Sequence, residues 1–147
     1  IDAAKAKFNE LKALVESNIN LEDEKMQALD EETQKTLADA LYTLGVVCWN
    51  KSYQTPPNMM DPKERIKTVE KGMEALEKSL VLNKDNHQAW AFVGLLWRQK
   101  IVAEPLKNDE YMAKWKEAMD MNKEIRERKL KREQLKEQLE MMGQAEE

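Results

Sequence analysis

The strongest constraint on this chain is the spacing of its apolar residues, which recur every three or four positions in separate segments. From Ile66 to Leu80 they follow one another at steps of 3, 4, 3 and 4. This spacing places them along one side of an α-helix. Asp61 and Pro62 precede the segment and favour the cap and first turn of a helix. The pattern therefore predicts an amphipathic helix that buries one side.

The same spacing predicts four more helices, separated by short polar breaks. The chain has only 4 Gly and 4 Pro, fewer turn residues than a sheet protein needs. We therefore expect an all-α fold. The predicted helices run from about residue 3 to 17, from Asp30 to the Pro56-Pro57 pair, from Asp61 to the break at 84–86, from there to Pro105, and from Asn108 onward. In the fourth helix, the predicted inward stripe consists of Trp90, Val93, Trp97 and Ile101.

Composition divides the chain into three regions. Residues 1–30 contain an N-terminal helix and a charged linker that forms a loop or a short extra turn, and 31–122 hold the regular helices. Residues 123–147 form a charged helical extension, in which 123–137 carry seven basic and four acidic side chains. Apolar residues return near its end at Leu135, Leu139 and Met142, a set too short to predict a coiled coil.

Charge and residue counts exclude several classes of function. The net charge of −4 argues against nucleic acid as the main partner, and the modest basic patch of the extension is more typical of a solvated helix. A single Cys and a single His exclude an internal disulfide and a zinc site of several imidazoles. Cys48 lies on an apolar stripe, and His87 has no nucleophile near it in sequence. We expect no catalytic activity, no metal and no cofactor.

Two segments of the chain match each other and carry a family resemblance. Residues 41–48 align with 90–97, and both continue into a polar residue and a lysine. In the second copy Trp90, Val93, Gly94 and Trp97 resemble the first helix of a tetratricopeptide repeat. The first copy departs from that motif, with Cys48 at an aromatic position and a longer loop. The sequence is similar to long-loop bacterial repeat proteins that are often exported.

This resemblance implies a stack of two degenerate helical hairpins, with a groove lined by the first helix of each pair. We expect a non-enzymatic scaffold or adaptor for another protein, within a multiprotein assembly. The alternative is a small ligand-binding protein with a pocket between the hairpins. For Trp49 two interpretations stay open, a place in the groove or packing under the loop at 55–61. The predicted groove residues are Asp39, Tyr42, Val46, Trp49 and Asn50 in the first copy and Gln88, Ala91, Leu95, Arg98 and Gln99 in the second.

The compartment is not determined by the sequence. The resemblance slightly favours a periplasmic or exported protein over a cytoplasmic one. No window of 18 apolar residues exists, so no transmembrane segment is expected, although association with a membrane complex stays open.

Overall fold

A computed structural model describes residues 2–146 and, among these, contains helices and no strand. The predicted all-α fold is confirmed. Short 3₁₀ turns at Pro57–Met59 and Pro105–Lys107 lie in two of the connections. The six α-helices are α1 (Asp2–Asn18), α2 (Asp23–Gln27), α3 (Glu31–Gln54), α4 (Pro62–Leu82), α5 (His87–Ala103) and α6 (Asn108–Glu146).

Three helices begin with a side-chain cap, and the cap at Asp61 is the one that the sequence predicts. The Asp30 carboxylate accepts a hydrogen bond from the Thr33 backbone N–H at 3.0 Å, at the start of α3. Asp61 does the same for the Lys63 N–H before α4, and Asn86 for the Ala89 N–H before α5. Each cap provides an acceptor for one of the backbone donors that the first turn of a helix leaves unpaired.

Helices α3 and α4 form one antiparallel hairpin, and α5 and α6 form another. In the first hairpin the Ser79 hydroxyl donates to the Ala38 carbonyl at 2.7 Å, while Arg65 reaches Ser52 at the opposite end. In the second, the Asn122 side chain donates to the His87 carbonyl at 2.7 Å. Helix α4 also packs against α5, so the four helices form a continuous series.

Helix α5 is buried on two sides, which differs from the predicted single stripe. Val93 of that stripe is buried, but Trp90 and Trp97 are only half-buried. Ala89 and Leu96 lie on another side of α5 and are both fully buried. They belong to a core cluster with α4. The reason is tertiary, because α5 packs between α4 and α6 and needs apolar residues toward both.

The long loop between α3 and α4 is anchored by Arg65, which is buried with 2% exposure. Its guanidinium donates to the Ser52 hydroxyl at 3.1 Å, and to the carbonyls of Ser52, Thr55 and Pro56. Ser52 lies in the last turn of α3, where the backbone carbonyls receive no hydrogen bond from within the helix. Thr55 and Pro56 directly follow the helix. The buried cation therefore satisfies the end of α3 and fixes the start of α4.

Helix α6 extends beyond the packed part of the fold. Ile125 is the last buried residue on it, and the residues from Leu130 to Gln144 are exposed. At 1.5 Å per residue the whole helix is about 58 Å long. It passes without a break through the predicted domain boundary at 122/123, which stays a prediction. Among residues 2–146, no helix is both long enough and apolar enough to cross a membrane.

Candidate partner-binding face

The candidate site lies where α3 and α5 pack side by side. The Tyr42 hydroxyl is 3.5 Å from the Gln88 side-chain oxygen, and the Ser52 hydroxyl donates to the Gln99 side chain at 2.9 Å. The two pairs are separated by 46 and 47 positions in sequence. Because the separation hardly changes, α3 and α5 run in the same direction. Their shared surface is thus a regular strip built from matching positions of the two hairpins.

Four aromatic rings form a continuous cluster on this strip. Phe92 meets Tyr42 and Trp49 edge to face, with ring centroids 5.9 and 5.5 Å apart. Trp49 stacks on Tyr53 at 5.0 Å, with an angle of 18° between the rings. Tyr53 is 64% exposed although it is a large aromatic residue. The cluster therefore begins in the α3–α5 contact and ends at the surface.

Trp49, for which a place in the groove and packing under the loop at 55–61 both stay open, lies in the α3–α5 contact. It is half-buried against Phe92 and Tyr53, and the loop at 55–61 is held by Arg65. Trp49 thus belongs to the α3–α5 contact and to the aromatic surface at the same time.

The α5 side of the strip is partly apolar and carries one cation. Ala91 and Leu95 are half-buried, and Val102 is 39% exposed. The guanidinium of Arg98 lies over the Trp115 ring of α6, at 5.6 Å from the ring centroid. This stacking holds a positive charge at the edge of the apolar surface. We call the surface formed by Tyr42, Val46, Trp49, Tyr53, Ala91, Leu95, Arg98 and Val102 the aromatic face.

The predicted groove residues occupy different environments within this arrangement. Gln88 and Gln99 are engaged between α3 and α5, since each side-chain oxygen contacts a hydroxyl of α3. Asp39 and Asn50 are exposed on α3. Tyr53, Phe92 and Val102 are not among the predicted groove residues. The spacing of Tyr42, Trp49 and Tyr53 at steps of 7 and 4 is the signal that could have revealed Tyr53.

Cys48, the residue considered as a nucleophile, is in an environment that does not activate it. Burial raises the pKa of the Cys48 thiol, and the nearby Lys71 and Lys51 offset this only in part. A reactive cysteine needs the opposite shift. Partial burial, together with Lys129 and Arg126, lowers the pKa of His87. Within the described part of the chain, no group of three or more His, Cys, Asp or Glu side chains is arranged to hold a metal ion.

A separate apolar groove of about 320 Å³ lies between α1 and α3. Helix α1 contributes large apolar side chains, yet Phe8 remains 64% exposed. On α3, Val47 is 56% exposed at the bottom of the groove. The lining residues are Phe8, Leu11, Lys12, Val15, Glu16 and Ile19 of α1, Ala40, Thr43, Leu44 and Val47 of α3, and Lys71 of α4. We call this the α1–α3 groove.

Comparison with known proteins gives no relative for this chain. No family model matches it, and neither a curated protein nor a solved structure is similar to it. What is established is the class defined by its own helices, an all-α protein in which two packed hairpins, α3–α4 and α5–α6, follow the N-terminal helices α1 and α2. Its function must be inferred from its surfaces.

Proposed function

We propose that this protein is a non-enzymatic scaffold or adaptor that binds another protein through the aromatic face. The observation that carries the proposal is the exposed end of the aromatic cluster, where Tyr53 stacks on Trp49 beside an apolar strip. Large aromatic residues next to an Arg are the composition of binding hot spots. A rigid ring held by its neighbours also loses little conformational entropy when a partner covers it.

Tetratricopeptide-like architecture is part of the proposal, and the glycines of the two aligned segments support it. A Cβ atom at Gly45 of α3 would lie 2.5 Å from Leu76 Cδ2 of α4. A Cβ at Gly94 of α5 would lie 2.6 Å from Met119 Cε of α6. Each glycine thus allows the first helix of a hairpin to approach the second closely, at matching positions. In this interpretation α3 to α6 are two degenerate repeats, and α1 covers one end.

Membership in a larger assembly follows from the small number of repeats. Stacks of this kind usually need about three repeats for a stable core. Here a second core cluster combines Val15 of α1 and Met26 of α2 with buried residues of α3 and α4. We propose that a partner protein supplies further cover, as a permanent partner in a complex would.

The alternative of a ligand pocket between the hairpins has less support. Leu96 of α5 is fully buried there, and a Cβ at Gly72 of α4 would lie 3.1 Å from its Cδ1. The contact between α4 and α5 is therefore filled by side chains. The aromatic face, in contrast, offers large side chains that the chain itself leaves uncovered.

Cross-linked capture from the native source, read by mass spectrometry, tests the proposal. We expect a stoichiometric protein partner with cross-links from Lys51 or Lys100. Tyr53→Ser and Arg98→Glu should each reduce recovery of that partner about tenfold or more, as hot-spot substitutions do. Met59→Ser is the matched control, because Met59 is 72% exposed and is not one of the residues of the aromatic face.

The outcomes separate the candidate functions. The proposal is supported if Tyr53→Ser and Arg98→Glu both lose the partner while their helical content is unchanged and Met59→Ser still binds the partner. Recovery of the same partner by both face variants contradicts it. A small molecule that copurifies reproducibly, in the absence of a protein partner, favours the ligand-binding alternative.

A further inference from the structure

We propose that the α1–α3 groove binds the C-terminal part of α6 from a second copy of this chain. The docked segment is residues 133–144, which we call the α6 overhang. All of its side chains are exposed, including Leu135, Leu139 and Met142. The proposal joins two apolar surfaces of one chain, neither of which the chain itself covers. It concerns a different surface from the aromatic face and does not depend on the proposed function.

The second hairpin shows what occupies the equivalent side of its first helix. Val47 of α3 aligns with Leu96 of α5, and Ala40 two turns earlier aligns with Ala89. Leu96 and Ala89 have no exposed surface, because helix α4 packs over them. Val47 is 56% exposed, since α1 covers only part of the same side of α3. A helix is therefore the shape that completes this side of α3.

The α6 overhang has the apolar spacing that such a helix needs. Leu135, Leu139 and Met142 follow at steps of 4 and 3, and on α3 the groove residues Ala40, Leu44 and Val47 follow at the same steps. Each set spans about 10 Å at 1.5 Å per residue. Stripes of equal length and period can interdigitate along two adjacent helices.

Charge also favours this pairing. The α6 overhang carries three glutamates, Glu133, Glu137 and Glu140, and one lysine, Lys136. The groove is lined by two lysines, Lys12 and Lys71, and by one glutamate. The two surfaces thus have opposite net charge, which favours encounter and register. Two overhangs paired in parallel with each other would instead bring their glutamates together.

The groove and the overhang of one molecule lie on different helices of the series, so a second molecule must join them. Helix α6 packs on α5 and continues straight into the overhang, whereas the groove is on the side of α3 that faces α1. Reaching its own groove would require α6 to break. Two copies that exchange overhangs use both grooves and close a two-fold dimer.

The mass of the full chain in solution, measured by light scattering over a range of concentrations, tests the proposal. We expect a reversible dimer with twice the monomer mass of 17.2 kDa. Val47→Glu in the groove and Met142→Glu in the overhang should each raise the dissociation constant about tenfold or more. Met141→Glu is the matched control for the overhang. Met141 is 70% exposed and Met142 62%, but Met141 does not belong to the apolar stripe of Leu135, Leu139 and Met142. Leu106→Glu controls for the groove, since Leu106 is fully exposed.

A mixing experiment distinguishes this contact from overhang-to-overhang pairing. Val47→Glu keeps an intact overhang, and Met142→Glu keeps an intact groove. An equimolar mixture should therefore form a mixed dimer through one contact, at concentrations where each variant alone is monomeric. Three results would each overturn the proposal. Val47→Glu alone forms dimers with wild-type affinity, the mixture stays monomeric, or the wild-type chain is monomeric at every concentration. If Val47→Glu loses helical content, Phe8→Glu replaces it, because Phe8 lines the same groove and is exposed.

Discussion

In each hairpin a glycine of the first helix lets the second helix approach closely. The hairpins differ in what covers the side of the first helix that faces the preceding helix. Gly45 and Gly94 both allow close approach of the following helix. Yet two positions further along each helix, at the aligned residues Leu96 and Val47, Leu96 is buried by α4 and Val47 is 56% exposed beside α1. The comparison teaches that position in the series of helices, and not local sequence, decides whether an apolar residue belongs to the core.

The hairpins also differ in how their connections are held. The loop after α3 depends on the buried Arg65, which donates to backbone carbonyls of that loop. The shorter connection after α5 is held by the Tyr111 hydroxyl, which donates to Glu104 at 3.0 Å. Burial, followed by this hydrogen bond, raises the pKa of Tyr111. The longer loop is therefore fixed by a buried cation, whereas in the shorter one Glu104 accepts from Tyr111 and also pairs with the exposed Lys107 at 3.0 Å.

The largest expected difference between the hairpins is at the aligned positions Leu96 and Val47. Leu96→Ala should lower the free energy of unfolding by about 3 kcal/mol, since it removes buried methyl groups and leaves a cavity. Val47→Ala should change it by less than about 0.5 kcal/mol at concentrations where the chain is monomeric. Urea denaturation followed by circular dichroism measures both. Equal losses would show that α1 covers α3 as completely as α4 covers α5.

The glycine contacts should differ by a smaller amount. Gly45→Ala should cost about 2 kcal/mol, because its Cβ would overlap the branched middle of the buried Leu76 side chain. Gly94→Ala should change stability by less than about 1 kcal/mol, since the gain in helix propensity offsets the displacement of the flexible end of Met119. Thermal and urea unfolding of the two variants, measured side by side, compare the contacts. A larger loss of stability in Gly94→Ala than in Gly45→Ala would contradict this prediction.

The smallest effect concerns pH and acts on the second hairpin alone, because its His87 is the only histidine. Partial burial, Lys129 and Arg126 lower the pKa of His87 in the folded protein. The unfolded chain therefore binds this proton more readily, so the stability contribution is present above about pH 6.5 and is lost as pH falls through the lowered folded pKa.

Lys129→Gln should raise the pKa of His87 toward its ordinary value, because it removes a cation whose Nζ lies 3.2 Å from the His87 ring Nδ1. NMR titration of the imidazole measures this shift. His87→Gln should remove the corresponding part of the pH dependence of unfolding. An unchanged titration in Lys129→Gln would contradict the contact between α5 and α6 at this point.

Much of the fold could be predicted from local patterns, but the surfaces could not. The cap at Asp61 was predicted because a cap needs only its own neighbours in sequence. The roles of Gln88 and Gln99 between α3 and α5 were not, since each depends on a residue more than forty positions away. The buried role of Arg65 was missed because its acceptors, the carbonyls of Ser52, Thr55 and Pro56, are brought together only by the end of α3 and the loop that follows it.

The sequence by itself determined the class of this protein, because helical period, caps and scarce turn residues are local properties that act wherever the chain folds. It also determined which side chains are large enough to fill a core or form a binding surface. The tertiary structure alone decided that Leu96 is covered and Val47 is open, and that Trp49 and Tyr53 extend from the α3–α5 contact to solvent. The physical reason is that burial is a property of neighbouring helices, and the chain supplies a full neighbour for one side of α5 but only a partial one for the same side of α3.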